Sequence, residues 1–321
     1  MNHYCTLFDA NYLTRGLALY QSLADTGDEF LLYIFAFDAQ TEAILEKLSL
    51  PHVKIVSMKD FEDARLLAIK ETRSRGEYCW TCSSFSILYV LQHFDVSEVT
   101  YLDSDLYFFS TPQRLLDEFH DSGKDVLITR HRYAPEYDQS ATSGIYCVQF
   151  MTFRNTPQGL YVLHWWCDRC AEWCYARFED GKFGDQKYLD DWLTRFDGMV
   201  HELQDIGGGV APWNVEQYRC TMGPSVDGVP VVFYHFHGLR WLDLHTFDLS
   251  LGYRLSDAVV QYLYHPYLDA LQKALAFIRA FSGQSFAKGF TPPPKGVWAT
   301  LRWWKSWFWR KRKGCYRVVR R

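Results

Sequence analysis

The run from Phe30 to Phe37 is apolar throughout. A strand alternates its side chains between two faces, so an uninterrupted run of this length has to be covered on both. That excludes a sheet with one wet face and points to a parallel sheet between two helical layers. The neighbouring sequence agrees. Tyr4 to Phe8 reads as a strand, followed by a helical pattern through Leu17, Tyr20 and Leu23. Thr41 to Leu48 reads as a helix, Val53 to Val56 as a strand and Phe85 to His93 as a helix. Strand patterns recur at Val99 to Leu102, Val126 to Thr129, Gly144 to Phe150 and Val231 to His235. Helical patterns cover Leu160 to Trp173 and Asp185 to Thr194. Alternation of this kind predicts an α/β fold with a mixed, mostly parallel sheet flanked by helices.

The expected organisation is an α/β domain over 1–255, a helix over 256–281, a linker over 282–296 and a tail over 297–321. Ser-Gly, Gly-Phe and Pro292-Pro293-Pro294 mark the linker. The tail differs from the rest in charge. Nine of the 34 basic residues lie between Trp298 and Arg321 with no acid, leaving 25 basic against 38 acidic groups elsewhere, a net of −13. An acidic body argues against nucleic acid as a partner, whereas the tail suits an anionic surface. Val297, Leu301, Trp304 and Phe308 fall on one helical face, widened by Trp303, Trp307 and Trp309. Arg310, Lys311, Arg312 and Lys313 close it. Trp at an interface and cations near anionic lipid predict a membrane-docking tail. The competing expectation packs the aromatics on the body and sets the cations against its acidic surface.

No run reaches the length of a membrane span, and Met-Asn-His-Tyr-Cys leads directly into a strand pattern without a charged leader. Nine scattered Cys suggest free thiols in a reducing compartment. The expectation is a cytoplasmic protein, peripheral on the cytosolic face of the membrane. Cys79/Cys82 and Cys167/Cys170, with Cys174 a turn on, have the spacing of a thiolate zinc site but also read as small buried hydrophobes.

Asp103-Ser104-Asp105 directly follows an apolar strand. Carboxylates at the carboxyl end of a strand sit where open α/β sheets bind ligands, and two hard oxygen donors suit Mn²⁺ or Mg²⁺ on a nucleotide diphosphate. His235-Phe236-His237-Gly238 closes a later strand. Its two imidazoles share a strand face, so either His235 or His237 is a candidate ligand, with Gly238 offering close backbone approach. Gly184-Asp185-Gln186 opens a helical pattern, and Asp185 also suits a helix cap. Gly207-Gly208-Gly209 before Pro212-Trp213-Asn214 marks a loop close to a backbone or a sugar, with Trp213 and Asn214 as acceptor-side candidates.

Taken in order, Asp9-Ala10-Asn11-Tyr12, Tyr101-Leu102-Asp103-Ser104-Asp105, Ser143-Gly144, Gly184-Asp185-Gln186 and His235-Phe236-His237-Gly238 resemble glycosyltransferase family 8 over residues 3 to 245. The resemblance implies a GT-A fold, a UDP-sugar donor, a bound Mn²⁺ or Mg²⁺ and retention of anomeric configuration. It implies that Asp9 and Asn11 hold uracil and ribose and that Tyr12 stacks on the base. Asp103, Asp105 and His235 match the metal ligands, and Gly238 a phosphate-contacting glycine. Asp185 and Gln186 match the pair beneath the donor sugar, and Arg75 a donor-contacting arginine. Ser104, Ser143 and Gly144 belong to the same donor motifs. The family's HxxGxxKPW element departs here: Arg240-Trp241 comes one residue early and without Pro, with Arg240 as the candidate replacement for its Lys. The sugar-pocket Asn-Ala-Gly is Thr142-Ser143-Gly144.

The function expected from these residues is metal-dependent sugar transfer to a glycan or lipid-linked acceptor of a lipopolysaccharide, capsule or cell-surface polysaccharide. A non-catalytic nucleotide-sugar-binding scaffold is the alternative from another class, and its signature would be a broken DxD or HxxG. A sugar-nucleotide pyrophosphorylase would want a Gly-rich basic phosphate loop, which Asp9 to Arg15 is not.

Overall fold

The computed structural model describes residues 1–282, 286–291 and 297–320. A seven-stranded sheet is built from β1 (Asn2–Phe8), β2 (Phe30–Ala36), β3 (Val53–Ser57), β4 (Glu98–Leu102), β6 (Val126–Arg130), β7 (Tyr146–Arg154) and β8 (Val200–Glu202). Its order is β3-β2-β1-β4-β7-β6-β8. Only β7 runs against its neighbours, so the sheet is mixed and mostly parallel.

The apolar run behaves as its composition requires. Leu32, Ile34 and Ala36 of β2 enter one core, while Tyr33 and Phe35 enter the other. The first core is closed by α1 (Leu13–Ala24) and α4 (His265–Ser282), the second by α2 (Arg75–His93) and α3 (Pro157–Glu172). Ser74 caps α2 in a reciprocal box with Glu77, and Thr156 caps α3 ahead of Pro157 at its first turn. The helix expected over Ser256 to Phe281 is present, beginning at Asp257 and carrying a π turn over Val260–Tyr264.

Two expectations need correction. The segment from Asp185 to Thr194 is not one helix: a 3₁₀ stretch over Lys187–Asp191 precedes a single turn over Trp192–Arg195, so Asp185 does not cap a helix. The three glycines approach the protein itself rather than leaving room for a ligand. A Cβ at Gly207 would lie 2.3 Å from the Pro230 carbonyl, at Gly208 2.7 Å from Leu203, and at Gly209 2.8 Å from Thr129. The CxxC residues Cys82, Cys167 and Cys170, with Cys174, are buried free thiols, in keeping with their reading as small buried hydrophobes.

A short antiparallel pair joins β5 (Leu106–Phe108) to β9 (Phe233–His235), with His235 opposite Leu106. Further on, β10 (Arg240–Asp243) and β11 (Thr246–Asp248) form a hairpin that β12 (Val318–Arg320) extends to three strands. The tail helix α5 (Val297–Arg312) leads into β12. Most of the expected linker over 282–296 lies outside the described residues, as do the side chains of Val297 and Leu301. Among the described residues no helix is long and apolar enough to cross a membrane.

Candidate functional site

The β5–β9 pair converts sequence distance into proximity. Asp103 leaves the end of β4, its amide donating to the Gln149 carbonyl at 3.0 Å, and Asp105 stands just before β5. Because His235 faces Leu106 across the pair, its imidazole meets both carboxylates. Nε2 lies 3.2 Å from Asp105 Oδ1 and 3.9 Å from Asp103 Oδ2. Nδ1 donates to Gln149 Oε1 at 3.0 Å, which turns the ring so that Nε2 faces the acids.

Asp103, Asp105 and His235 form the floor of a cleft of about 620 Å³. Burial and the neighbouring carboxylates push Asp103 above the usual carboxylate range. Burial alone would raise Asp105 too, but His235 holds it down, and the two acids in turn raise His235. Two close acids flanking an imidazole nitrogen are a donor set that suits a divalent cation, which would replace the proton between them. Among the described residues the one grouping of three or more His, Cys, Asp or Glu within mutual ligand reach is Asp103, Cys147 and His235, whose ligand atoms lie within 4.8 Å of one another.

The cleft gathers most of the residues singled out in the sequence. Asp9, Asn11, Tyr12 and Arg75 line one side. Asp9 accepts from the Asn11 amide at 2.7 Å and pairs with Arg75 Nε at 2.6 Å, while Arg75 also reaches Asp38 at 2.8 Å. Tyr12 is 43% exposed, so its ring is open to a ligand. Ser104, Ser143, Asp185, Gln186, Trp213 and His237 also line it. Burial raises Asp185 to about 6, against a lowering hydrogen bond from Ser83, whose hydroxyl lies 2.7 Å from Asp185 Oδ2. The Gln186 side-chain amide donates to the Ser143 carbonyl at 2.6 Å.

Other expected site residues lie elsewhere. Arg240 is turned away from the cleft onto Asp248, a buried carboxylate shared with Arg310. Coming one residue early places it on β10, which carries it to the tail. Gly238 is at the turn after β9 (φ 76°), where a Cβ would touch Leu251 at 3.2 Å, and it is outside the cleft lining. Gly144 (φ 111°) packs on Asp190 and Lys187. Asn214 is 1% exposed and uses its amide to bond the carbonyls of His131 and Gly209, so it braces the Trp213 loop instead of facing a ligand.

The tail divides between the two expectations. Arg310 is 4% exposed and makes a two-pronged pair with Asp248 at 2.6 and 2.7 Å, so it anchors the tail to the body and does not face a surface. Trp303 and Trp307 are half-buried beside Arg240 and Asp248. Trp304, Phe308 and Trp309 are exposed, as are Lys305, Lys311, Arg312 and Lys313.

Residues that the sequence did not single out also shape the cleft. His131, Tyr133 and Tyr253 join Trp213 in an aromatic wall around His237. Cys147 and Gln149 arrive from β7 and Ser83 from α2. Each depends on a long-range pairing and sits in no motif; alternation along β7 is the only local signal.

The chain is 30% identical over 301 residues to the uncharacterized protein YfnD of Bacillus subtilis (strain 168), covering 90% of this chain and 94% of that protein. It is 31% identical over 254 residues to the uncharacterized protein YfnF of the same organism, covering 75% and 83%. Among solved structures it resembles the galactosyltransferase LgtC in complex with donor and acceptor sugar analogues (TM-score 0.53, 13% identity, 84% of this chain and 95% of that chain). It also resembles the glycosyltransferase GlyE of Streptococcus pneumoniae TIGR4 (TM-score 0.51, 13% identity, 92% and 66%). These likenesses show the GT-A fold. No protein-family model matches the chain.

Proposed function

The chain belongs to the family of the Bacillus subtilis proteins YfnD and YfnF, and from that premise and the cleft we propose that it is a metal-dependent glycosyltransferase, related to family 8, using a UDP-sugar donor. The observation that carries this reading is His235 Nε2 set against Asp105 and Asp103 on the cleft floor. The GT-A fold shared with the galactosyltransferase LgtC supports it.

Tyr12 supplies an open ring for the base, and Asp9, held by Arg75, presents its carboxylate to the uridine. A Mn²⁺ or Mg²⁺ ion on Asp103, Asp105 and His235 would neutralise charge on the departing diphosphate. Arg75, paired with Asp9 and Asp38, lines the cleft wall where it contacts the donor. Asp185 accepts hydroxyls of the donor sugar while Ser83 fixes its carboxylate. Gln186, anchored on the Ser143 carbonyl, leaves its amide oxygen for the anomeric carbon. With no carboxylate placed as a covalent nucleophile, front-face attack with retention is the mechanism proposed. Trp213, Tyr133 and Tyr253 offer aromatic faces to a glycan or lipid-linked acceptor. The exposed Trp304, Phe308 and Trp309 with the surrounding cations hold the body on an anionic membrane surface.

The test is hydrolysis and transfer from a panel of UDP-sugars with and without Mn²⁺. Asp105→Ala abolishes the metal-dependent reaction on this reading, and unchanged turnover overturns it. Stabilisation by UDP-sugar without turnover would favour the non-catalytic binding alternative. Product stereochemistry read by NMR decides retention, an inverted product excluding it.

A further inference from the structure

The cleft floor carries a thiol beside the acids and the imidazole. Strand β7 places it there by its own alternation: Tyr146 and Val148 pack into the core behind the sheet, while Cys147 borders the cleft and Gln149, buried, meets His235 Nδ1. Gln149 turns His235 so that Nε2 points at the carboxylates, and Cys147 stands two residues before it on the same face. One strand thus delivers a free thiol and the group that orients the neighbouring imidazole. Cys147 is 4% exposed, packed on Ala211 and Trp213, yet borders the open cleft. Its sulfur, an Asp103 oxygen and a His235 ring nitrogen lie within 4.8 Å of one another. Ligands held at about 2.0–2.3 Å around one tetrahedral ion lie about 3.3–3.8 Å apart, so the three groups have to close by at most about 1.5 Å, within the reach of side-chain rotation.

We propose that Cys147 is a further protein ligand of the cleft cation beside Asp103 and His235, and that it extends the site's reach from manganese and magnesium to thiophilic divalent ions such as zinc and cobalt. Oxygen and imidazole alone suit hard or borderline ions, and a thiolate moves the preference toward softer ones. Binding exchanges the S–H bond for an S–metal bond and releases the proton to solvent. The proposal deepens the reading of this cleft as a metal site and rests on it.

The test uses the full chain stripped of metal and titrated with Co²⁺. A sulfur-to-cobalt charge-transfer band in the near ultraviolet is expected. It persists in Cys79→Ser, which alters another thiol of the cleft, and disappears in Cys147→Ser and Cys147→Ala. In Cys147→Ser, Zn²⁺ affinity falls by roughly ten-fold or more, while Mn²⁺ affinity changes by less than about three-fold. Should both variants fail to fold, the unaltered chain still answers: Zn²⁺ protects Cys147 from alkylation by a small reagent, read by mass spectrometry, and Mn²⁺ protects it far less. No band in the unaltered chain, a band that survives Cys147→Ser, or alkylation of Cys147 indifferent to Zn²⁺ overturns the proposal. Mn²⁺ binding without a cobalt–sulfur band removes Cys147 and leaves the metal reading intact, whereas binding of neither ion removes both.

Discussion

Gln149 Oε1 accepts a hydrogen bond from His235 Nδ1 at 3.0 Å, and this single contact decides which imidazole nitrogen faces the acids. A ligand imidazole held by a carbonyl oxygen on its far side is fixed in tautomer and orientation. Gln149→Leu frees the ring to turn. Divalent-metal affinity by isothermal titration is expected to fall by roughly ten- to a hundred-fold with little change in melting temperature.

Asp185 couples the cleft to pH. Burial raises it to about 6 from an ordinary value of 3.8, despite the Ser83 hydroxyl. A carboxyl raised in the folded state contributes stability that is fully present below 3.8 and is lost as pH rises through about 6. Above that pH the fold carries a buried charge costing up to about 3 kcal/mol. Asp185→Asn removes the titration. The variant should therefore melt higher than the parent at pH 7.5, with the gap closing toward pH 4, while transfer activity is lost. Calorimetry at the two pH values checks this.

Asp248 holds Arg240 and Arg310 together, 1% exposed itself. Removing one partner of a buried pair leaves an uncompensated charge and costs about 3–5 kcal/mol. Asp248→Asn, which loosens two guanidiniums, should destabilise more than Arg310→Met, and both should expose β12 to exchange and α5 to proteolysis. Hydrogen exchange at Val318 and Val319 reads it directly.

Membrane docking is tested on the exposed rings rather than by truncation, because deleting 297–321 would also remove β12 and Arg310 from the body. Trp304→Ser, Phe308→Ser and Trp309→Ser combined should abolish flotation with anionic liposomes and leave the melting temperature within about 1 °C. Flotation equal to the parent would separate the tail's aromatics from any lipid role.

The sheet was legible because β2 is apolar on both faces, and the DxD because it ends a strand. Local pattern carries such information. The antiparallel direction of β7 was not legible, since a nine-residue run buried at all but its last position reads the same in either direction. Nor were Cys147, which borders the cleft, or Gln149 and Ser83, which support His235 and Asp185 from far along the chain. Arg240 shows the opposite failure: its neighbours spell a phosphate motif, but one missing residue puts it on a strand facing the tail. Arg310 sits in a run of four cations, and only the tertiary position of Asp248 distinguishes it from Lys311, Arg312 and Lys313.

Between cleft and tail lies a five-residue bridge. Tyr253 lines the cleft, while the Ser250 carbonyl on one side receives Arg310 and the Arg254 guanidinium on the other reaches the Lys313 carbonyl at 3.0 Å. Ser250 also ties its hydroxyl to the Tyr253 carbonyl at 2.7 Å. An aromatic surface for ligand and an anchorage for the tail are therefore parts of one loop. Coupling free energy between two binding events has no direction: whatever factor a seated tail contributes to occupancy against Tyr253, an occupant there returns to the seating of the tail.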